Sequence, residues 1–158
     1  MPRRSAGILL YRTVNGVVEV LLVHPGGPFY SRRDLGNWGI PKGEYEPDEE
    51  PQACAVREFA EELGQPPPIG PMTSLGEIRQ KNNKIVTAWG LEGDLDADAI
   101  QSNTFTAEWP PRTGRMQEFP EIDRAAWLSL DAAAAKIIET QRPLLDRLAQ
   151  ALGRGGPN

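Results

Sequence analysis

Apolar residues recur in short runs along the first part of the chain, and these runs predict strands. Residues 5–12 and 17–24 are rich in branched aliphatic side chains and flank the pair Asn15-Gly16. Because Asn and Gly tolerate the positive φ angles of a tight two-residue turn, this pattern predicts a β-hairpin. Residues 25–37 are rich in Gly, Pro, Ser and Arg, which indicates a surface loop of a length that often carries function.

Helical periodicity follows a short strand and turn that we predict at residues 38–43. Residues 48–64 are expected to form a helix that Asp48 caps and Gly64 ends. At about 100° per residue, three apolar side chains fall on one arc and are expected to face a core: Val56, Phe59 and Leu63. The opposite arc carries the charged side chains Arg57, Glu58, Glu61 and Glu62.

The rest of the chain alternates between strand-like, polar and helical patterns. Residues 73–79 and 85–91 predict a second hairpin, and residues 127–130 predict a last strand. The long polar stretch at residues 94–117 contains Pro, Thr and Arg together with aromatic residues, so we expect an ordered loop. Residues 140–152 show the apolar face of an amphipathic helix. This mixed order of strands and helices predicts an α/β class of fold.

Length and composition indicate one globular domain. The chain has 158 residues, of which 39% are hydrophobic and 25% charged, and these values are typical of a folded protein and not of a disordered one. We expect a single domain over residues 1–152 and a flexible tail at residues 153–158. The net charge of -5 excludes a general electrostatic attraction to nucleic acid or to an anionic membrane.

A single cysteine, Cys54, further narrows the classes of protein. It excludes an internal disulfide framework and a zinc site built from several thiolates. No segment has the length and hydrophobicity of a membrane span. We therefore expect a cytoplasmic protein that does not bind membranes.

Three glutamates on the predicted helix are the main candidates for chemistry. Glu58, Glu61 and Glu62 stand at positions i, i+3 and i+4, so their carboxylates project from one face of the helix. Their like charges repel one another, and a bound divalent cation would reverse that effect. Oxygen ligands of this kind suit Mg²⁺ or Mn²⁺. The alternative interpretation is a solvated acidic helix face without function.

The surrounding spacing closely resembles the Nudix box. Gly43 is followed after five residues by Glu49, and seven residues later comes the run Arg57-Glu58-Phe59-Ala60-Glu61-Glu62-Leu63-Gly64. Every glycine and polar position of the box matches. The one departure is Gln65, where the family usually has an apolar residue, and this position affects packing after the helix and not metal chemistry.

This resemblance implies a fold, a cofactor and a set of residue roles. Nudix hydrolases are α/β/α sandwiches with a mixed β-sheet, and they use Mg²⁺, with Mn²⁺ as a substitute, to hydrolyse a nucleoside diphosphate linked to another moiety. The implied metal ligands are Glu58, Glu61 and Glu62, with the carbonyl of Gly43 as an additional one. The resemblance also implies that Arg57 orients these glutamates and that Glu49 supports Arg57.

The general base and the substrate contacts remain open between several residues. Glu58 is the first choice for the base within the box, Glu121 is the first choice from the later loop, and Glu118 is the reserve. Lys42, next to the box glycine, and the pair Arg32-Arg33 are candidate phosphate contacts. Trp109 is the candidate for stacking on a base.

The substrate is predicted only as a class. The segment at residues 38–43 is similar to that of the diadenosine polyphosphate and diphosphoinositol polyphosphate branches of the family. The tyrosine that the former branch often carries 16–18 residues after the box is absent, since Lys81, Asn82 and Asn83 occupy that region. We therefore expect a pyrophosphohydrolase that cleaves a diphosphate linkage in a nucleoside polyphosphate or dinucleoside polyphosphate by attack of water on phosphorus.

Other functions remain open at this stage. They are a diphosphoinositol polyphosphate or nucleotide-sugar hydrolase and a non-hydrolytic nucleotide-binding module. We expect a small-molecule polyphosphate partner, no nucleic acid polymer, and a monomer or a homodimer. The charge distribution agrees with a polyanionic substrate, because residues 43–64 hold eight of the 22 acidic residues and one of the 17 basic ones. The remaining chain is slightly basic, with Arg112 and Arg115 among the candidates around the site.

Overall fold

The protein, described over residues 2–153 by a computed structural model, is built around a mixed sheet. Its strands are β1 (Arg3–Val14), β2 (Val17–Pro25), β3 (Lys42–Glu44), β4 (Met72–Gln80), β5 (Lys84–Glu92), β6 (Thr104–Glu108), β7 (Met116–Pro120) and β8 (Ile122–Ser129). Six of them form the main sheet in the order β4-β5-β1-β2-β8, with β3 paired to β1, while β6 and β7 form a separate two-stranded sheet. The pair β1 and β5 is parallel and the other pairs are antiparallel.

Both predicted hairpins of the main sheet are confirmed. The turn between β1 and β2 places Asn15 at φ 51° and Gly16 at φ 78°, as the Asn-Gly pair predicts. The turn between β4 and β5 uses two consecutive asparagines with positive φ, Asn82 and Asn83. Asparagine tolerates this conformation better than most residues do, so both turns follow from local sequence.

Strand β1 pairs with β5 along one edge, whereas the other edge has a different neighbour in each half. Near its start, Ala6 lies opposite Gly43 of β3. Near its end, Tyr11 lies opposite Val20 of β2. Strands β2 and β3 therefore diverge, and a bridge between Val23 and Gly39 spans the gap. This divergence brings β3 next to the centre of the sheet and creates space beside it.

Helices cover both faces of the sheet. Helix α1 (Pro51–Leu63) packs on one face, and α2 (Leu130–Lys136) and α3 (Arg142–Ala151) pack on the other. Alternation along β1 separates the two cores, because Ile8 faces α1 whereas Leu9 faces α2 and α3. The predicted α/β/α sandwich with a mixed sheet is thus confirmed. No helix within residues 2–153 is both long and apolar enough to cross a membrane.

Helix α1 differs from its prediction at its start and in its buried arc. It is preceded by Glu50, which makes no capping side-chain bond, so the prediction of Asp48 as the cap is wrong; Gly64 ends the helix at φ 70° as predicted. Val56 is 37% exposed, contrary to prediction, whereas Glu62 is buried. The buried arc is rotated away from Val56 toward Glu62, because that carboxylate has a polar partner inside the protein.

The polar stretch at residues 94–117 has more regular structure than the sequence predicts. It contains a 3₁₀ turn at Ala97–Ala99, all of β6 and the start of β7, and Phe105 lies opposite Phe119 in this hairpin. Most side chains of the hairpin are exposed. Its two strands therefore lack the alternation between buried and exposed positions that normally reveals a strand.

The end of the chain follows the prediction with two additions. Strand β8 begins five residues before the predicted start, and α2 follows it directly with Ser129 as its N-cap. Helix α3 buries Leu144, Leu145 and Leu148 as expected. Of the predicted flexible tail, Gly153 lies in a turn and residues 154–158 lie outside the described part of the chain.

Candidate active site

The glycine at the start of the box provides space for a carboxylate. Gly43 lies in β3, and α1 packs across the adjacent part of β1. A Cβ atom on Gly43 would lie 2.0 Å from Cδ of Glu58 and 2.3 Å from each of its carboxylate oxygens. Only glycine therefore allows the carboxylate of Glu58 to rest against this strand.

Glu62 lies one helical turn after Glu58 and is the most buried of the box glutamates. Its Oε2 accepts a hydrogen bond of 3.1 Å from the backbone N–H of Lys42. Burial raises the pKa of Glu62 to about 8, and the nearby charges of Glu58 and Glu121 act in the same direction. The hydrogen bond and the charge of Lys42 oppose this shift only in part. The positive charge and hydrogen bond of Lys42 therefore do not fully stabilise the ionised form of this carboxylate.

Lys42 contributes both its backbone and its side chain to this region. Burial lowers the pKa of Lys42, and the nearby Lys84 lowers it further, whereas Glu62 raises it. For Glu58, burial is again the largest cause of a raised pKa, followed by the charge of Glu61. Mutual shifts of this kind in partly buried groups are typical of functional sites, although structural ion pairs also produce them.

Arg57 connects the box glutamates as the resemblance implies. Its Nε and Nη2 donate to the two carboxylate oxygens of Glu49 at 3.0 and 3.1 Å. Its Nη1 donates to Glu58 at 3.0 Å and lies 3.3 Å from a carboxylate oxygen of Glu61. The pKa of Arg57 is raised, chiefly by the hydrogen bond to Glu49. One guanidinium therefore fixes the relative positions of three carboxylates.

Of the two loop glutamates, one lies near the box. The charge of Glu121 raises the pKa of both Glu58 and Glu62, and Glu121 itself is exposed. Glu118 lies opposite Thr106 in the hairpin of β6 and β7. No contact joins Glu118 to the box within residues 2–153. The electrostatic effect of Glu121 on Glu58 and Glu62 makes it the stronger candidate of the two for the additional carboxylate.

The box carboxylates are the type of ligand that a hard divalent cation binds, but their side chains do not all point toward one position. Acidic side chains are concentrated at Glu58, Glu61 and Glu62, and all the candidate ligand atoms are oxygens, which Mg²⁺ and Mn²⁺ prefer. Glu61, however, is turned toward Arg57, and the carbonyl of Gly43 accepts a bond of 3.4 Å from the Cys54 thiol. No three His, Cys, Asp or Glu side chains in the described residues are already arranged to coordinate an ion. The assignment of metal ligands stays a prediction.

A cavity of about 310 Å³ adjoins the box where β2 and β3 diverge. Lys42 and Glu62 line it, together with Tyr30, Gln80 and Gln141. The buried Gln141 side chain accepts a hydrogen bond from the backbone of Ile40 and donates one to Gln80. Sequence reasoning missed the last three of these lining residues, because they come from separate segments and belong to no motif. Only the composition of the loop at residues 25–37 pointed toward Tyr30.

The remaining predicted substrate contacts do not line this cavity. Arg32 and Arg33 are exposed in the loop of residues 26–37, and the guanidinium of Arg33 lies 5.9 Å from the centre of the Tyr30 ring. Trp109 is half-buried in the turn between β6 and β7, against Phe29. Lys42 is thus the only one of these four residues that lines the cavity. The roles assigned to all four stay predictions.

Comparison of the sequence with models of known protein families shows which family the chain belongs to. The family model described as NUDIX domain matches residues 1–148. The chain belongs to the Nudix hydrolase family. Nudix enzymes generally use a divalent metal, and membership supports activity as a Nudix pyrophosphohydrolase.

Solved Nudix structures share the fold across nearly the whole chain. A C. elegans Ap4A hydrolase in a binary complex is 22% identical with a TM-score of 0.65, and the match covers 96% of this chain and 98% of that one. The NUDIX domain of Shewanella oneidensis NrtR, complexed with ADP ribose, is 17% identical with a TM-score of 0.66, covering 96% and 89%. A mutT/nudix family protein from Listeria innocua is 15% identical with a TM-score of 0.63, covering 97% and 96%. At these identities the likeness establishes the fold alone.

Proposed function

We propose that the protein is a Mg²⁺-dependent pyrophosphohydrolase that cleaves a diphosphate linkage in a nucleoside polyphosphate or a dinucleoside polyphosphate by attack of water on phosphorus. One observation carries this proposal. The carboxylates of Glu58 and Glu62 lie against Gly43 and Lys42, next to a cavity of about 310 Å³. Concave sites of roughly 300 Å³ and more, with a few polar groups, are typical of small-molecule binding.

Glu58, Glu61 and Glu62 would hold the cation, with the carbonyl of Gly43 as an additional ligand. A bound Mg²⁺ neutralises charge on phosphate oxygens and makes water a stronger nucleophile at neutral pH. Mn²⁺ has the same preference for oxygen ligands and is the expected substitute. Arg57 acts as a positioning residue, because it fixes the directions of Glu58 and Glu61 through the ion pairs described above.

The attacking water must lose a proton, and two carboxylates are candidates to accept it. Glu58 is the candidate within the box, and burial raises its pKa toward the range where a general base works well. Glu121 is the candidate from the segment before β8. The side chain of Lys42 would bind a phosphate oxygen, which also explains how an acidic protein accepts a polyanion. We further propose a cytoplasmic location and a monomer or homodimer.

A panel of substrates tests the activity. Nucleoside triphosphates, dinucleoside polyphosphates, nucleotide sugars and inositol pyrophosphates are incubated with the protein and Mg²⁺ in ¹⁸O-labelled water, and the products are identified by mass spectrometry. We expect cleavage of one of the first two classes, with label in a phosphate product and no turnover in EDTA. Binding without cleavage across the panel would instead indicate a nucleotide-binding module. Cleavage of the last two classes alone would assign a different substrate.

A matched pair of variants tests the site. Glu62→Gln keeps the size of the side chain and its hydrogen-bond acceptor but cannot ionise to bind a cation. We expect kcat/KM to fall by about 100-fold or more, because even the loss of a group that only supports a metal ligand costs about 10- to 100-fold. Glu50→Gln removes an exposed carboxylate just before the same helix and should keep full activity. Equal activity of the two variants would contradict the proposed metal site.

A further inference from the structure

Two aromatic side chains from separate segments meet at the protein surface. Phe29, in the loop of residues 26–37, contacts Trp109 edge-on, with ring centroids 5.9 Å apart and planes at 77°. Phe29 is 62% exposed, although it is a large apolar side chain. Exposed apolar groups that cluster, and are not scattered singly, mark binding surfaces.

The loop that carries Phe29 is tied both to the segment that contains Glu121 and to the hairpin of β6 and β7. The backbone N–H of Gly26 donates to the carbonyl of Glu121 at 2.8 Å, which ties the loop to the segment whose side chain acts on Glu58 and Glu62. A Cβ atom on Gly27 would lie 2.7 Å from the Phe105 ring, so the loop also packs closely on the hairpin. Phe29 does not line the cavity itself, but the next residue in the loop, Tyr30, does.

The turn that carries Trp109 is also well ordered by hydrogen bonds. The carboxylate of Glu108 accepts from the backbone N–H groups of Arg112 and Gly114 at 2.9 and 3.2 Å. The side chain of Gln117 donates to the carbonyl of Trp109 at 2.8 Å. The indole is therefore presented by a fixed turn, which lowers the entropic cost of binding a ligand to it.

Both segments that carry the aromatic pair also contain arginines. Arg32 lies in the same loop as Phe29, and Arg112 and Arg115 lie in the same turn as Trp109. Across residues 2–153, none of these three arginines takes part in an ion pair. Aromatic side chains on segments that also carry unpaired arginines suit a base attached to a phosphate chain, since base stacking is combined with attraction of phosphate.

We propose that Phe29 and Trp109 form a stacking site for the second base of a dinucleoside polyphosphate. The first nucleoside would occupy the cavity, the phosphate chain would pass the box carboxylates, and the second base would stack on the aromatic pair. This inference rests on the proposed function, and it selects the dinucleoside class over nucleoside triphosphates as the preferred substrate.

The test compares two substrates that differ only in the second nucleoside. kcat/KM is measured for diadenosine tetraphosphate and for adenosine tetraphosphate with wild type, Phe29→Ala, Trp109→Ala and the matched control Leu35→Ala, which removes an exposed apolar side chain from the same loop. Each aromatic variant should lose about 10-fold or more on the dinucleotide, as expected for one stacked base, and less than about twofold on the mononucleotide. Leu35→Ala should change neither value. Phe29→Tyr, which keeps an aromatic face, should retain activity on both.

Three results would overturn the stacking site. These are an equal loss on both substrates, no loss on either, and a wild-type enzyme that cleaves only the mononucleotide. If wild type cleaves neither nucleotide, the proposed hydrolysis fails, and calorimetry then tests the stacking site by itself. Tighter binding of the dinucleotide to wild type than to Phe29→Ala would support the stacking site. Equal binding would refute the stacking site as well. Circular dichroism of each variant checks that the fold is intact.

Discussion

Replacement of Gly43 by alanine separates a cost in activity from a cost in stability. The new Cβ would lie 2.0 Å from Cδ of Glu58, whereas ordinary contacts between carbon atoms begin near 3.5 Å. The carboxyl group must therefore move by about 1.5 Å to reach that separation. It is the end of a flexible side chain, so a rotamer change accommodates it at about 1 kcal/mol or less of folding free energy. The backbone of β3 keeps its pairing with β1.

The same movement should be expensive for catalysis. A displacement of about 1 Å in a reacting group costs up to about 100-fold in rate, so we expect kcat/KM of Gly43→Ala to fall by about that factor, or ~2.7 kcal/mol of transition-state stabilisation. The assay is hydrolysis of the best substrate from the panel with Mg²⁺, alongside thermal unfolding of the same protein preparation.

Gly70→Ala is the matched control, because its Cβ would meet nothing closer than 3.6 Å. It should keep both activity and melting temperature. The reasoning would be refuted if Gly43→Ala kept kcat/KM within about twofold of wild type, since the carboxylate position would then not matter to the rate. A fall of Gly43→Ala in melting temperature as large as that of a core mutation would also contradict the expected soft contact.

Three further predictions concern individual ionisable groups. Because burial raises the pKa of Glu62 from 4.5 to about 8, the folded state holds its proton more tightly than the unfolded state does, and stability is lost as the pH rises through this range. In EDTA, the titration of Glu62 should therefore lower the free energy of unfolding by about 3 kcal/mol between pH 4.5 and pH 7. Urea titrations at a series of pH values should show this loss for wild type and not for Glu62→Gln. The same pH dependence in both proteins would contradict the prediction. Burial also raises the pKa of Cys54 to about 11. The thiol of the native protein at pH 8 should therefore resist iodoacetamide and react only after denaturation. Rapid alkylation of the native protein would show that the thiol is not buried. A lysine at position 57 cannot make the two-bond contact of Arg57 with Glu49, so kcat of Arg57→Lys should fall about 10-fold. The free energy of unfolding should change by about 1 kcal/mol or less, because the lost ion pair is exposed. An unchanged kcat would show that Arg57 does not position the glutamates.

The sequence predicted those features that depend on local chemistry. Asn15 and Gly16 specified the first hairpin, because few other residues adopt positive φ without strain. The resemblance to the Nudix box implied the contact of Arg57 with Glu49 and Glu58, and both ends of that contact belong to one motif. Periodicity predicted that Phe59 faces the core.

Features that depend on distant partners were not predictable in this way. Glu62 is buried because the backbone of Lys42, 20 residues away, donates to it, so hydrophobicity wrongly assigned the buried position to Val56. The hairpin of β6 and β7 was missed because few of its side chains are buried. The contact between Phe29 and Trp109 joins residues 80 positions apart, and no local pattern reports such a pair.

Along one edge, β1 pairs first with β3 and then with β2, so its two ends lie at different distances from the candidate site. Ala6 of β1 lies beside Gly43, whereas the turn at Asn15 and Gly16 lies nine residues further along, roughly 30 Å at about 3.3 Å per residue of strand. A fluorophore, a surface linker or an inserted peptide attached at this turn would therefore project from the end of the sheet opposite the carboxylates. A protein immobilised there would keep the end that carries the candidate site facing the solution.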